Sequence, residues 1–268
     1  MAEHARRYDR LAAALNVAGF VVWAHDHRGH GEHPTPGPRG HFGDSGGWKG
    51  LIDDAWAVSS ALQQAYPQLP LFMFAHSMGS FVGQGVVAAH GAAYAGVVLS
   101  GTNGPPPLNE RLLRTWAGLQ KIASGGRAPA TSLQKTVFDR YNKPFGPPAN
   151  SWLSRDPDEV RKYNNDRLCG FDLTLQAWID LLDGRIAQGS VAFFERWPRE
   201  LSVLVIAGLA DAVGDNGKGV DRLLERLKEA DRPRVTYKSY PDARHELINE
   251  TNYEDVTADL IRWLGQVL

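Results

Sequence analysis

The chain has 268 residues, 43% of them hydrophobic and 22% charged, with a formal net charge of −1 and a pI near 6.8. That length suits one α/β domain carrying an insertion and is short for two independent cores. The balanced charge argues against a nucleic-acid-binding surface or a polybasic membrane anchor. A single cysteine, Cys169, excludes an intramolecular disulfide and a zinc site built on cysteines.

In chain order, residues 5–19 are predicted as a helix with Tyr8, Leu11, Leu15 and Ala18 on one face, ended by Gly19. Residues 20–24 (FVVWA) form a continuous apolar run, the pattern of a strand covered on both faces. A loop rich in Gly, His and Pro follows over 25–47, then a helix over 51–66. Residues 71–75 (LFMFA) predict a second buried strand, 78–90 a helix and 95–100 (AGVVLS) a third strand. A fourth strand is expected at 202–207 (SVLVIA), a solvated amphipathic helix at 218–230, a fifth strand at 235–240 and a closing helix at 253–267. Strands alternating with helices mean a mostly parallel sheet flanked by helices. Residues 102–200 break the rhythm with helical segments and Pro-rich joints, and hold Trp116, Trp152, Trp178 and Trp197. They are expected to form a helical cap inserted into a core made of 1–101 and 201–268. The chain has no run of about 18 apolar residues and no apolar signal region in MAEHARRYDR. A cytoplasmic location is the expectation.

Residues 75–79 read Ala-His-Ser-Met-Gly, directly after a buried strand and before a helix. This is the G-x-S-x-G elbow with alanine at its first position. The turn is tight, so the residues two before and two after the serine must be small, and the hydroxyl of Ser77 projects from the strand tip. The N–H of Met78, at the helix start, can then stabilise an oxyanion. A serine hydroxyl needs a base, and the base a carboxylate. Asp211 lies just past the fourth strand and His245 just past the fifth, so both loops open on the same sheet edge as Ser77. Asp215 and Asp242 are competitors for the acid. The alternative role for Ser77 is a helix N-cap.

His25, His27, His30, His33 and His41 cluster early, but they lack the i, i+4 pairing with a nearby glutamate base, and no metal is expected. In this loop Asp26 and Arg28 are expected to act as braces. His76 is expected to pack, pointing away from the nucleophile. Cys169 reads as an ordinary buried or pocket-wall thiol.

The segments EHARRYDRLA, AHDHRGHGEH, AHSMGS, SGTNG, WLSRD, GLADAVGDNGKGV and YPDARHELINET spread over nearly the whole chain. Together they resemble the monoacylglycerol lipase and lysophospholipase branch of the α/β-hydrolases. The resemblance implies ester hydrolysis of a single-chain acyl lipid through an acyl-enzyme, a mobile cap, transient contact of the cap with a membrane surface, and no cofactor. It places a second oxyanion N–H at Met1 and head-group contacts at Glu3 and Arg7. A head-group histidine of some members falls at Ile248, a departure that bears on monoglyceride preference. The resemblance also implies three strands ahead of the first helix seen here. Without the third, a gap of roughly 5 Å is expected in the sheet centre, and an N-terminally shortened chain is the expectation. Two other functions remain open: a catalytically impaired ligand-binding protein, and an esterase, peptidase or acyltransferase with a non-lipid substrate.

Overall fold

A computed structural model describes residues 1–32 and 37–268. Its sheet has four parallel strands, β1 Phe72–His76, β2 Gly96–Ser100, β3 Ser202–Gly208 and β4 Val235–Tyr240, in that spatial order. β2 (GVVLS) and β3 (SVLVIAG) have apolar centres, and apart from the half-buried Ser202 they are buried on both faces, as crossover helices require. β4 alternates half-buried and exposed residues because it closes one edge of the sheet.

Helices α1 Asp9–Val17, α2 Gly47–Ala65 and α3 Met78–His90 precede β2. A short 3-10 turn, Ala5–Tyr8, leads into α1. Gly19, at φ +92°, ends α1, and the N–H of Phe20 closes back on the carbonyl of Leu15. α3 is buried nearly all round and lies against β1. Between β2 and β3 come α4 Leu108–Ser124, α5 Thr131–Asn142, α6 Pro157–Asn165, α7 Leu175–Ala187 and α8 Val191–Phe194. α7 packs on α4 and α2, and Leu133, Trp178 and Leu181 share one apolar core with Val86, Val87 and Leu99. α9 Lys218–Glu229 and α10 Tyr253–Val267 complete the chain.

The run FVVWA at 20–24 is not a strand, contrary to the sequence reading. A strand needs a neighbour to take its N–H and carbonyl groups, and here a cavity of about 490 Å³ separates this segment from β1. Val22 and Ala24 line one side of that cavity, Met73 and Ala75 the other. Phe20 still packs edge-on against Phe72, while Val21 and Trp23 are exposed. The gap expected in the sheet is therefore a cavity.

The strand register aligns the carboxyl ends. His76 pairs with Ser100, Ser100 with Ile206, and Gly208 with Tyr240. Ser77, Gly101, Asp211 and the 241–245 loop consequently emerge at one edge of the sheet.

Candidate active site

Ser77 sits between β1 and α3 at φ +54° and ψ −127°. A non-glycine residue there is strained. Two hydrogen bonds secure the turn: the N–H of Ser77 donates to the Ser100 carbonyl at 3.0 Å, and the N–H of Ser80 to the Ser77 carbonyl at 2.8 Å. The alanine at the elbow's first position has a local explanation. A Cβ built on Gly83, one turn into α3, would lie 2.9 Å from Cβ of Ala75. The methyl of Ala75 uses the space that Gly83 leaves.

Nε2 of His245 lies 2.8 Å from Oγ of Ser77, and its Nδ1 lies 3.0 Å from both carboxylate oxygens of Asp211. Asp211 is 1% exposed and His245 2%. The N–H of Val213 donates to Oδ1 of Asp211 at 2.8 Å and fixes the carboxylate. Asp215 instead faces Arg222 at 3.4 Å, and Asp242 is exposed. A hydroxyl, an imidazole and a buried carboxylate in this line can pass the hydroxyl proton to the ring while the carboxylate holds the tautomer. Met78 opens α3, so its N–H is one of the donors without an intrahelical acceptor.

Several neighbours of this line are not legible as such in the sequence. The ring of His76 is 4.7 Å from that of His245, and its Nδ1 lies 3.3 Å from Ser100 Oγ. Burial first, then the neighbouring His245, pushes the His76 pKa down to about 3, so it stays neutral beside His245. Gly101, at φ +55°, admits the imidazole: a Cβ there would fall 3.0 Å from Nδ1 of His245. Trp152, between α5 and α6, lies 5.1 Å centroid to centroid from His245 and packs with Phe138 and Tyr141. Glu250 is fully buried and accepts from the N–H groups of Arg155 and Arg244, which ties the WLSRD segment to the His245 loop.

Glu3 and Arg7 are mostly buried and face each other, with Nε of Arg7 3.4 Å from Oε2 of Glu3. Arg7 also pairs with Glu246, the residue after His245. Burial alone would raise the Glu3 pKa. The terminal ammonium, His76, Arg7 and the Tyr8 hydroxyl together bring it down to about 2. Burial outweighs Arg7 at Glu246 and raises its pKa. The ammonium of Met1 lies 3.9 Å from Glu3. The N–H of Ala2 donates to Nε2 of His30 at 3.1 Å, and the Ala2 carbonyl accepts from Gly170, so residues 1–4 are held from both sides. Ile248 is buried, and its carbonyl accepts from Arg10.

The rings of His25, His27 and His30 follow one another at 5.1 and 6.2 Å. Burial lowers the pKa of all three. His41 bonds Thr174, and His33 lies outside the described residues. Asp26 accepts from the N–H of Ala5, and Arg28 makes a two-pronged pair with Asp54, both contacts bracing the loop. The 490 Å³ cavity touches His76 and Gly79 but none of Ser77, Asp211 and His245, so it lies beneath the site and is not its mouth.

The family model described as "Serine aminopeptidase, S33" (Hydrolase_4) matches residues 1–252. The chain belongs to this family. It is a serine hydrolase of the α/β-hydrolase fold. It is 32% identical to the monoglyceride lipase of Homo sapiens over 98% of this chain and 79% of that one. It is 29% identical to the monoacylglycerol lipase of Mycolicibacterium smegmatis, over 98% of this chain and 84% of the relative. Among solved structures, a thermostable carboxyl esterase from Bacillus coagulans in complex with glycerol superposes with a TM-score of 0.90 at 31% identity, covering 100% of this chain and 87% of the other. None of the helices among the described residues is long and apolar enough to cross a membrane.

Proposed function

We propose that this family member hydrolyses monoacylglycerols, with Ser77 as nucleophile, His245 as base and Asp211 as the acid that orients it. The observation that carries the reading is the hydrogen-bonded line from Asp211 through His245 to Ser77 at the tips of three parallel strands. Oγ of Ser77 attacks the ester carbon as its proton moves to Nε2 of His245. The N–H of Met78 takes the oxyanion, joined by an N–H of the first segment at Met1. The imidazolium gives its proton to the departing glycerol. Water, activated by the same imidazole, then releases the fatty acid and restores the serine.

The 102–200 segment acts as the cap. Trp152, Phe138 and Tyr141 give it an apolar wall against His245, suited to one acyl chain. Glu3 and Arg7, with Glu246 beside the base, form the polar end that receives the head group. The cap also supplies a surface for contact with lipid: Leu108, Leu112, Leu119 and Ile122 of α4 are exposed.

The test is release of fatty acid from monoacylglycerols of graded chain length, run beside lysophospholipids, simple p-nitrophenyl esters and amino-acid p-nitroanilides. Ser77→Ala is expected to abolish turnover and labelling by a fluorophosphonate. Turnover of the anilides alone would replace the lipase reading with a peptidase one. An active Ser77→Ala protein would refute the nucleophile.

A further inference from the structure

Two regions far apart in sequence meet where the first segment touches the cap. His4 is extended just before the 3-10 turn. Asp166 follows α6, and a turn carries the chain to Cys169, whose N–H donates to the Asp166 carbonyl at 3.0 Å. Oδ1 of Asp166 accepts from the N–H of Leu168 at 2.8 Å, which leaves Oδ2 for Nε2 of His4, also at 2.8 Å. Nε2 of His4, a carboxylate oxygen of Asp166 and Sγ of Cys169 all lie within 4.8 Å of one another. Among the described residues no other three His, Cys, Asp or Glu side chains gather ligand atoms this closely. Asp166 is about a third exposed, so the group can be reached from solvent.

We propose that His4, Asp166 and Cys169 form a site for a zinc-class divalent cation, with one coordination position left to water. One cysteine cannot build a cysteine-based site, but imidazole, carboxylate and thiolate together are a donor set that Zn²⁺ and Co²⁺ accept. Bonds of about 2.0–2.3 Å in a tetrahedron put ligand atoms roughly 3.3–3.8 Å apart, within reach of small side-chain rotations here. Nε2 of His4 now donates to Asp166; on binding it gives that proton up to solvent and bonds the metal, while Nδ1 takes a proton from solvent so that the ring stays neutral. The Cys169 thiol loses its proton to solvent as the sulfur–metal bond forms. Burial favours the neutral Cys169 thiol, and Arg7, itself paired with Glu3 and Glu246, acts against it, so it is the sulfur–metal bond that drives the proton off. The bound ion would cross-link residues 1–4 to the cap, and the site is independent of the Ser77 chemistry.

The experiment is titration of the full chain with Co²⁺ in reducing, chelator-free buffer. Cys169 is the sole cysteine, so a near-ultraviolet thiolate-to-cobalt band reports this site alone. The band is expected to appear, to vanish when Zn²⁺ is added, and to be lost in Cys169→Ser. Asp166→Asn and His4→Ala are expected to weaken cobalt binding about tenfold or more. Absence of the band at millimolar cobalt, or binding unchanged in both of those variants, overturns the proposal. Should the variants fail to fold, maleimide labelling of the unmodified protein decides: Zn²⁺ protects Cys169 if the site exists, and an unchanged labelling rate overturns it.

Discussion

The methyl of Ala75 and the missing side chain of Gly83 fill one space between them. A Cβ on Gly83 would come within 2.9 Å of Cβ of Ala75, closer than two carbons tolerate. Gly83→Ala gains helix propensity, worth about 1 kcal/mol, but overpacks the seam between β1 and α3 at a cost of about 1–3 kcal/mol. The single variant is expected to be destabilised in urea. Ala75→Gly is expected to restore it, since it returns the elbow's first position to glycine and clears the contact. A double-mutant cycle with no coupling between the two sites would remove this account of the alanine.

Asp211→Asn keeps the size of the side chain but presents an amide to Nδ1 of His245, which disfavours the tautomer needed at Nε2. If the proposed triad operates, kcat on a p-nitrophenyl ester is expected to fall roughly 10⁴-fold, as in Ser-His-Asp enzymes generally. Asp215→Asn and Asp242→Asn are expected to stay within about twofold, because Asp215 faces Arg222 and Asp242 is exposed. A large loss in either of those, with Asp211→Asn active, would transfer the acid role.

How far this site is legible in the sequence depends on what each signal measures. The apolar runs of β1, β2 and β3 and the elbow at Ser77 are local patterns, and the parallel fold brings Asp211 and His245 to the same edge. The run FVVWA carries the same local pattern and still fails to be a strand, because a ladder partner is not a local property. The pairing of Arg7 with Glu246 joins residues 239 apart, and Trp152, between α5 and α6, meets His245 in the loop after β4. Neither has a spacing rule. His76 illustrates the boundary: its place before Ser77 fixes its side of the elbow, but only the fold sets its ring against that of His245.

Burial lowers the pKa of His76 to about 3, helped by His245, and that of His30 to about 4, helped by the terminal ammonium. Above the unfolded value of 6.5 both rings are neutral in either state and stability does not depend on them. As pH falls from 6.5 the unfolded chain takes up protons that the folded protein refuses, so stability is lost down to those lowered values. At pH 5 each histidine is expected to cost about 2 kcal/mol. Urea midpoints between pH 7 and pH 5 measure the slope. His76→Gln, if folded, is expected to flatten it, and an unchanged slope would exclude His76 from the acid sensitivity.

Leu108, Leu112, Leu119 and Ile122 are exposed on α4. At 100° per residue they fall within an arc of about 80°, so they form one stripe rather than scattered surface apolars. Arg111 lies on the same helix beside the stripe, a pattern suited to lying on a lipid surface with a cation at the head groups. Each leucine that enters the interface adds up to about 1.5–3 kcal/mol, and every 1.4 kcal/mol is about tenfold in partition. Leu112→Glu with Ile122→Glu is therefore expected to weaken sedimentation with phosphatidylcholine–phosphatidylserine vesicles by about a hundredfold. It is expected to raise the KM for vesicle-borne monoacylglycerol while leaving turnover of a soluble p-nitrophenyl ester within about twofold. Equal losses on both substrates would place the damage in the packing of α4 against α7, and unchanged vesicle binding would leave the stripe without a lipid role.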